Sequence, residues 1–400
     1  IPSAPMRRVL VAVFCAALLM FMLLPTSITA DSDLGDVEIL DSSGRTVSVD
    51  SLAWELAQKA GGSSGDDRSN SIAVSANGDI YVTGSFKNTA YFGDTILTSA
   101  GDWDIFVAKM NSTGYWFWAV QAGGAHQDIG EGIALDSSGN VFVTGTFQQS
   151  AQFGTNSLTT NNGNAYDPYV AKISSNGAWQ WVNRGTGSGG SANTGTDIAV
   201  DSTGYAYVTG YFSRNIGFDS TTLTWSGMYD IFVAKIDTWG NWQWATMAGG
   251  AQGDDVPNAI TIGPNGDVFL TGYFQFTSTF GSNSLTSQTG KDAFVAKVSA
   301  QGNWMWSESM GGGSNDIGND IVVNPQGEVY VSGSFYSGIS FGNFSYGAGG
   351  VSNSFIAKAL DQGNSVDWEW ARQVSSSSSN AAFGMTLDSN QELLITGQFR

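Results

Sequence analysis

The sequence predicts an all-β fold, a β-propeller of four-stranded antiparallel blades, and three observations predict it. A phrase reading Phe-Val-Ala-Lys or a close copy ends at Lys109, Lys172, Lys235, Lys297 and Lys358, in steps of 63, 63, 62 and 61 residues. A second phrase, Tyr-Val-Thr-Gly or a near copy, places glycine at 84, 145, 210, 272, 333 and 397. Each of these glycines follows an aliphatic residue by twelve positions: Ile72, Ile133, Ile198, Ile260, Ile321 and Met385. A fixed period of this length is the mark of a repeat architecture. The third observation is composition: 52 glycines, 12% aromatic residues and only 13% charged residues describe a packed, turn-rich chain rather than a disordered one.

Taken in order, one unit reads as four short strands. The first is centred on the aligned aliphatic residue, as in Ile72-Ala73-Val74, and a polar turn such as Asp136-Ser-Ser-Gly139-Asn140 follows it. Glycine in that turn supplies the positive φ a tight hairpin needs. The second strand, Ile80 to Phe86, is rich in β-branched and aromatic residues. A longer connection then carries Phe-Gly at 92–93, 153–154, 280–281 and 341–342, with Phe218-Asp219 in the third unit. The third strand is the Phe-Val-Ala-Lys segment. The fourth carries two tryptophans one residue apart, at 116/118, 179/181, 242/244, 304/306 and 368/370, and a period of two puts both rings on one face.

Four antiparallel strands per unit, repeated around an axis, is how a propeller blade is built. Linear solenoid units are shorter, about 20–45 residues with one or two elements each. The middle residue of the first strand is small or β-branched in every copy (Ala73, Ala134, Ala199, Thr261, Val322, Thr386), as crowding near an axis requires. The chain is expected to hold five complete blades and part of a sixth, with six or seven in the full protein. Domain boundaries read as a signal peptide at 1–30, an acidic N-terminal linker at 31–53, and repeats over 54–400 that are C-terminally incomplete. Residues 54–59 look like an orphan fourth strand, and a third strand beyond Arg400 is expected to pair with them, since closure of this kind removes two sheet edges.

The unit Ile-Ala-Leu-Asp-Ser-Ser-Gly-Asn-Val-Phe-Val-Thr-Gly at 133–145, with Phe-Gly and Asp-x-Phe-Val-Ala-Lys after it, resembles the SBBP-type β-propeller repeat. The resemblance covers 54–400. It implies an exported prokaryotic propeller, often beside adhesion-like modules, and it brings no catalytic motif with it.

Arg7 and Arg8 precede sixteen uninterrupted apolar residues, Val9 to Leu24, then Pro25 and a run of mostly small residues to Ala30. That order reads as a secretory signal cleaved after Ala30, so the protein is expected to be secreted or held at the cell surface. Contact with membrane would come only through this segment if it stayed uncleaved. Cys15 is the sole cysteine and lies inside the apolar run, so the mature chain has none to oxidise. Without Arg7 and Arg8, 14 basic residues face 35 acidic ones, a net charge of −21 that repels nucleic acid.

Catalytic chemistry is scarce. His126 is the lone histidine, which excludes Ser-His-Asp and Cys-His catalysis and a histidine-rich zinc site, and it reads as a solvent-facing loop residue. The most suggestive residues stand five positions before each aligned aliphatic: Asp67, Asp128, Asn193, Asp255, Asp316 and Asn380. They are expected in the loops between blades, around one mouth of the central channel. A ring of oxygen ligands there could hold Ca2+, which takes about six to eight oxygens. The alternative is that each side chain caps its own loop by accepting backbone N–H bonds. Asn replaces Asp twice, which keeps an acceptor but loses charge, and no Asp-x-Asp-x-Asp-Gly loop is present.

A second set, Asp104, Asp167, Asp230, Asp292 and Asn353, precedes the repeat lysines by five residues and is expected to pair with them. The doubled tryptophans recur in every unit, which favours packing between blades over glycan stacking. Ligand sites are expected where repeats differ, as in the loops at 185–197 and 347–353. The reading is therefore a non-catalytic extracellular propeller, without a required cofactor, that acts as a binding or surface scaffold for a protein or glycan ligand. The alternatives are cation-dependent adhesion through the Asp/Asn ring and a polysaccharide-active enzyme.

Overall fold

The computed structural model describes residues 39–40, 46–47, 57–63, 66–163, 165–347, 349–375 and 379–398. The segment read as a signal peptide, with Cys15, lies outside the described residues. No helix among the described residues is long and apolar enough to cross a membrane.

The fold is all-β and built from antiparallel four-stranded sheets, with those of the third and fourth units joined into one eight-stranded sheet through Ala248↔Phe280. In the first unit the strands are Asp67–Val74, Ile80–Phe86, Asp104–Met110 and Trp116–Ala122, paired in chain order. The next unit repeats the order with Asp128–Leu135, Val141–Gln148, Tyr166–Ile173 and Trp179–Arg184. The connection between second and third strands forms a small hairpin of its own, Thr89–Phe92 with Thr95–Thr98, turning at the Phe-Gly pair. In the fourth unit this hairpin is continuous with the long strands Val268–Phe280 and Asn283–Val298.

The core lies between sheets, and the apolar clusters are shared by two consecutive units, apart from one inside the first unit. Ile133 packs with Tyr81, Ile105 and Val107 of the unit before it, and Ile260 does so with Tyr207, Ile231 and Val233. The Phe of the Phe-Gly packs edge-on against the first tryptophan of its own unit in the first, second and fourth units, as Phe92 on Trp116 at 5.3 Å and Phe280 on Trp304 at 5.2 Å. Edge-to-face pairs of this kind add about 0.5–1.5 kcal/mol beyond the burial itself.

The second tryptophan joins neighbours. Trp118 Nε1 donates to the Ser175 carbonyl, Trp181 to Thr238 and Trp244 to Ala300, always onto the third-to-fourth strand turn of the next unit. Glycine in that turn makes room for the ring, since a Cβ at Gly240 would sit 2.9 Å from the Trp181 indole.

Two features differ from the sequence reading. The strand beside Leu393–Gln398 is Ile39–Leu40, with Leu40 opposite Leu393, and Thr46–Val47 follows it. Both come from the stretch read as a linker. Of the 54–59 segment, residues 57–59 are exposed and outside any strand, and the others lie outside the described residues. A short upstream pairing is enough to cover the free edge. In addition, Ile72 is 41% exposed whereas its counterpart Ile133 is 5% exposed. Nothing among the described residues covers the leading face of the first sheet as each sheet covers its successor.

Candidate functional site

Every first strand bulges at one place. The register shifts between Ser69 and Ser71, Gly195 and Asp197, Pro257 and Ala259, Gly318 and Asp320, and Ala382 and Gly384. In the second unit the same step falls between Gly130 and Gly132. The residue left over is Asn70, Glu131, Thr196, Asn258, Asn319 or Phe383. The Val-Thr-Gly glycine exists for this bulge: a Cβ at Gly84 would lie 1.9 Å from the Arg68 carbonyl oxygen, and one at Gly145 would lie 1.9 Å from that of Ile129. A bulge re-aims side chains and is common beside functional sites.

Here it aims them along the inner strands. Asn70 Nδ2 donates to the Gly130 carbonyl at 2.9 Å, Asn258 to Gly318 at 2.8 Å and Asn319 to Ala382 at 2.6 Å, each one unit onward. The following residue makes a similar step in two units. Asp197 Oδ2 accepts from the Ile260 amide at 2.9 Å and Asp320 Oδ2 from the Met385 amide at 2.5 Å.

These acids touch solvent on one side and are walled by protein on the others. Burial pushes Glu131 up to about 7 and Asp197 to about 7, the latter against the two amides that bind it. Burial likewise raises Asp320 to about 7, helped by the negative charge of Asp197. Three carboxyls thus stand at or beside the bulges of the first strands and change charge near neutrality, which is the range useful for proton transfer or for binding a cation.

The Asp/Asn series lies elsewhere, at the junctions between sheets. Asp128, Asn193, Asp255 and Asp316 are fully buried and Asn380 nearly so. They accept backbone N–H bonds: Gly62 donates to Asp67 Oδ2 at 2.6 Å, Gly124 to Asp128 Oδ2 at 2.7 Å, Gly250 to Asp255 Oδ2 at 2.9 Å and Ser213 to Asn193 Oδ1 at 3.2 Å. Asn380 Oδ1 accepts from the Ser354 hydroxyl at 2.7 Å. Among the described residues no three His, Cys, Asp or Glu side chains gather in a group able to hold a metal ion. The six positions therefore form separate junctions and not one exposed ring of ligands, because each side chain turns inward to its own loop.

The second Asp series meets the first, not the lysines. Five residues along a strand span about 16 Å and reverse the face, so Asp104 and Lys109 sit at opposite ends of their strand. Lys109 pairs instead with Asp79 at 2.9 Å, Lys172 with Asp136 at 3.4 Å and Lys358 with Glu328 at 2.6 Å, acids in the first hairpin turn or just after it. Lys297 bridges Asp267 at 2.9 Å and Asp361 of the next unit at 2.6 Å. His126, expected in solvent, is half-buried in the loop leading to Asp128.

Where repeats differ most, the 185–197 loop adds a two-residue strand, Thr186–Gly187, to the small hairpin of the third unit. A cleft of about 460 Å3 opens there, lined by Asn183, Arg184, Thr186, Ser188, Asn215 and Asp219. Arg184 is committed at its inner end to Asp167 and to Asn161. In the 347–353 stretch, Gly349 and Gly350 are exposed and the Ser352 carbonyl accepts from the Asn380 amide at 2.9 Å. The bulge residues carried no signal of their own. They could have been found only as the variable position between two fixed landmarks.

A curated relative, an uncharacterized WD repeat-containing protein of Acanthamoeba polyphaga mimivirus, is 22% identical over 376 residues, covering 76% of this chain and 27% of its own length. The chain thus spans about a quarter of that relative. Two solved structures are similar: a protein of unknown function from Bacteroides caccae (10% identity, 74% of this chain and 79% of that one, TM-score 0.38) and one from Dyadobacter fermentans (12% identity, 77% and 94%, TM-score 0.39). The family described as SBBP, beta-propeller repeat, matches residues 118–146, from the second tryptophan of the first unit through the Val-Thr-Gly of the next. Residues 118–146 of the chain carry the SBBP beta-propeller repeat.

Proposed function

We propose that this chain is a non-catalytic, extracellular β-propeller that displays a binding surface, with the ligand, a protein or a glycan, engaging the inner face of the ring. One observation carries the reading. The repeated lysines, aspartates and tryptophans are engaged within the fold, whereas the bulge residue and its successor differ from unit to unit: Asn70-Ser71, Glu131-Gly132, Thr196-Asp197, Asn258-Ala259, Asn319-Asp320 and Phe383-Gly384. Residues that packing does not dictate are where specificity resides. In this reading the ring has at least six blades, with the Ile39–Leu40 and Thr46–Val47 strands completing the last sheet and the open face beside Ile72 leaving space for one more. A screen of the mature chain against glycans and secreted proteins tests it. Glu131→Gln combined with Phe383→Ala, a bulge residue that is 57% exposed, should weaken any specific hit at least tenfold without lowering the melting temperature. A hit unaffected by this pair rejects the inner face as the site.

A second reading, an enzyme acting on polysaccharide, rests on Glu131, Asp197 and Asp320, whose near-neutral carboxyls suit acid/base work. Release of reducing ends from a polysaccharide panel, abolished by Glu131→Gln, would favour it over the scaffold.

A further inference from the structure

We infer that the sheet-junction pairs Asp104–Asp128, Asp230–Asp255 and Asp292–Asp316 each share one proton at neutral pH and act as pH-sensitive clasps on the Gly-Gly loops. The geometry is similar at each, with Asp230 and Asp255 also accepting from the Ser226 and Ser278 hydroxyls at the second. A Cβ at Gly123 would lie 2.6 Å from the Asp104 carboxyl carbon, while the next residue, Gly124, donates its amide to Asp128 at 2.7 Å. Gly249 lies equally close against Asp230, and Gly250 donates to Asp255 at 2.9 Å. Gly311 abuts Asp292, with Gly312 beside Asp316. Two carboxyls thus grip consecutive residues of one buried loop. The six aspartates are between 0 and 2% exposed.

Two adjacent buried carboxylates cannot both stay ionised without a counter-charge. The other repeats show what the site requires. In the second unit Asn193 replaces one acid, and its amide donates to Asp167 Oδ1 at 3.4 Å, while Arg184 pairs with Asp167. In the fifth unit the positions are Asn353 and Asn380, with no formal charge at all. Where both members are Asp, no ion pair among the described residues reaches either one.

The charged and titratable groups around these junctions are engaged elsewhere or are themselves acids or neutral. Near the first, Lys87 pairs with Asp102 and, with Arg68, lies over the Trp103 ring, and His126, Glu131 and Tyr169 complete the surroundings. Near the second stand Asp254, Tyr229 and Tyr211. Near the third, Lys291 lies over Tyr273, and Tyr336 is close.

At the first and third pairs unused lone pairs mark where the proton goes, while at the second every carboxyl oxygen already accepts from an amide or hydroxyl. Asp104 Oδ1, Asp292 Oδ1 and both oxygens of Asp316 are buried without a hydrogen bond of good geometry. A divalent cation fits worse, because Ca2+ takes about six to eight oxygens and these sites offer two carboxyls facing N–H donors. On folding, one carboxylate of each pair takes a proton from water, and its O–H donates to the partner carboxylate. Burial holds Asp128 at about 8 against the Gln148 and Gly124 amides, with a small push from Asp104; burial and then the Asp292 charge hold Asp316 at about 8, and burial also dominates at Asp255, at about 7. These are raised acids. Their contribution is fully present below the ordinary carboxylate range and is lost as pH rises to about 8.

The test is infrared difference spectroscopy at pH 7 of the whole chain against the Asp128→Asn/Asp255→Asn/Asp316→Asn variant, with melting curves from pH 5 to 9. The wild type should show a protonated-carboxyl C=O band that weakens in the variant, the remainder belonging to Glu131, Asp197 and Asp320. Its melting temperature should fall toward pH 9, while the variant's changes less over the same range. If the triple variant fails to fold, Asp316→Asn alone should remove part of the band. An unchanged band in either variant overturns the proposal. So does a wild-type melting temperature that rises with Ca2+ and falls with EDTA, which would place a metal where we place the proton.

Discussion

Trp306 Nε1 donates to Asp361 Oδ1 at 3.0 Å, so the indole of the fourth unit is tied to a carboxylate of the fifth. The other oxygen of that carboxylate takes Lys297 at 2.6 Å. Trp306 is almost fully buried, and its ring lies edge-on to Phe269 at 6.0 Å. Trp306→Ala should therefore destabilise the protein by about 3–5 kcal/mol, the usual range for emptying a buried tryptophan site. The urea midpoint measures the loss. A shift under about 1 kcal/mol would show that the sheets do not depend on this contact.

Lys297 is sandwiched between Asp267, Asp361 and the Phe269 ring with only 3% of its side chain exposed. Its ammonium has to stand burial, and the two carboxylates more than compensate, so its pKa lies above the ordinary lysine value. Removing it strands two acids. Lys297→Met should cost about 3 kcal/mol by denaturant titration. Changing Asp361 to Asn as well should recover part of that loss.

The Gly-Gly loops make a sharper test of space. A Cβ at Gly124 would stand 2.0 Å from the Ser150 carbonyl oxygen, whereas nothing lies within 4 Å of one at Gly163. Gly124→Ala should destabilise by more than about 1 kcal/mol, and Gly163→Ala should be neutral within about 0.5 kcal/mol. Thermal melts of the two variants side by side decide it.

Titration of the inner-face acids has a definite sign. Glu131, Asp197 and Asp320 are each raised to about 7, so the folded state binds protons that the unfolded chain has already released. The contribution of these three acids to stability should fall as pH rises from the ordinary carboxylate range to about 7 and change little above it. Asp197→Asn with Asp320→Asn should flatten that slope in melting temperature against pH. A slope unchanged by the pair would mean that these carboxyls ionise as they do in water.

Some of this was legible in the chain. The spacing of Ile72 from Gly84 set the first hairpin, and Asp67↔Phe86 through Val74↔Ile80 is the pairing found. The tryptophan doublet gave one face of the fourth strand. Contacts that cross units were not legible, because a period says which residues are equivalent and not which neighbour they meet. Asp104 was read with Lys109, five residues away, although the fold sets it beside Asp128 across a strand and a loop. Ile39–Leu40 was hidden for a related reason. A two-residue strand has too little pattern to announce itself, and its partner lies at the far end of the sequence.

The bulge in each inner strand has a consequence for how such a chain can diversify. The surplus residue pairs with nothing across the sheet, so its identity is released from the alternation that governs the residues on either side. Each repeat then offers one interchangeable tooth on a common wheel. Asn, Glu, Thr and Phe already occupy that place, at Asn70, Glu131, Thr196 and Phe383, on nearly the same framework. New recognition could arise by swapping these teeth singly, with the spokes that carry them left untouched.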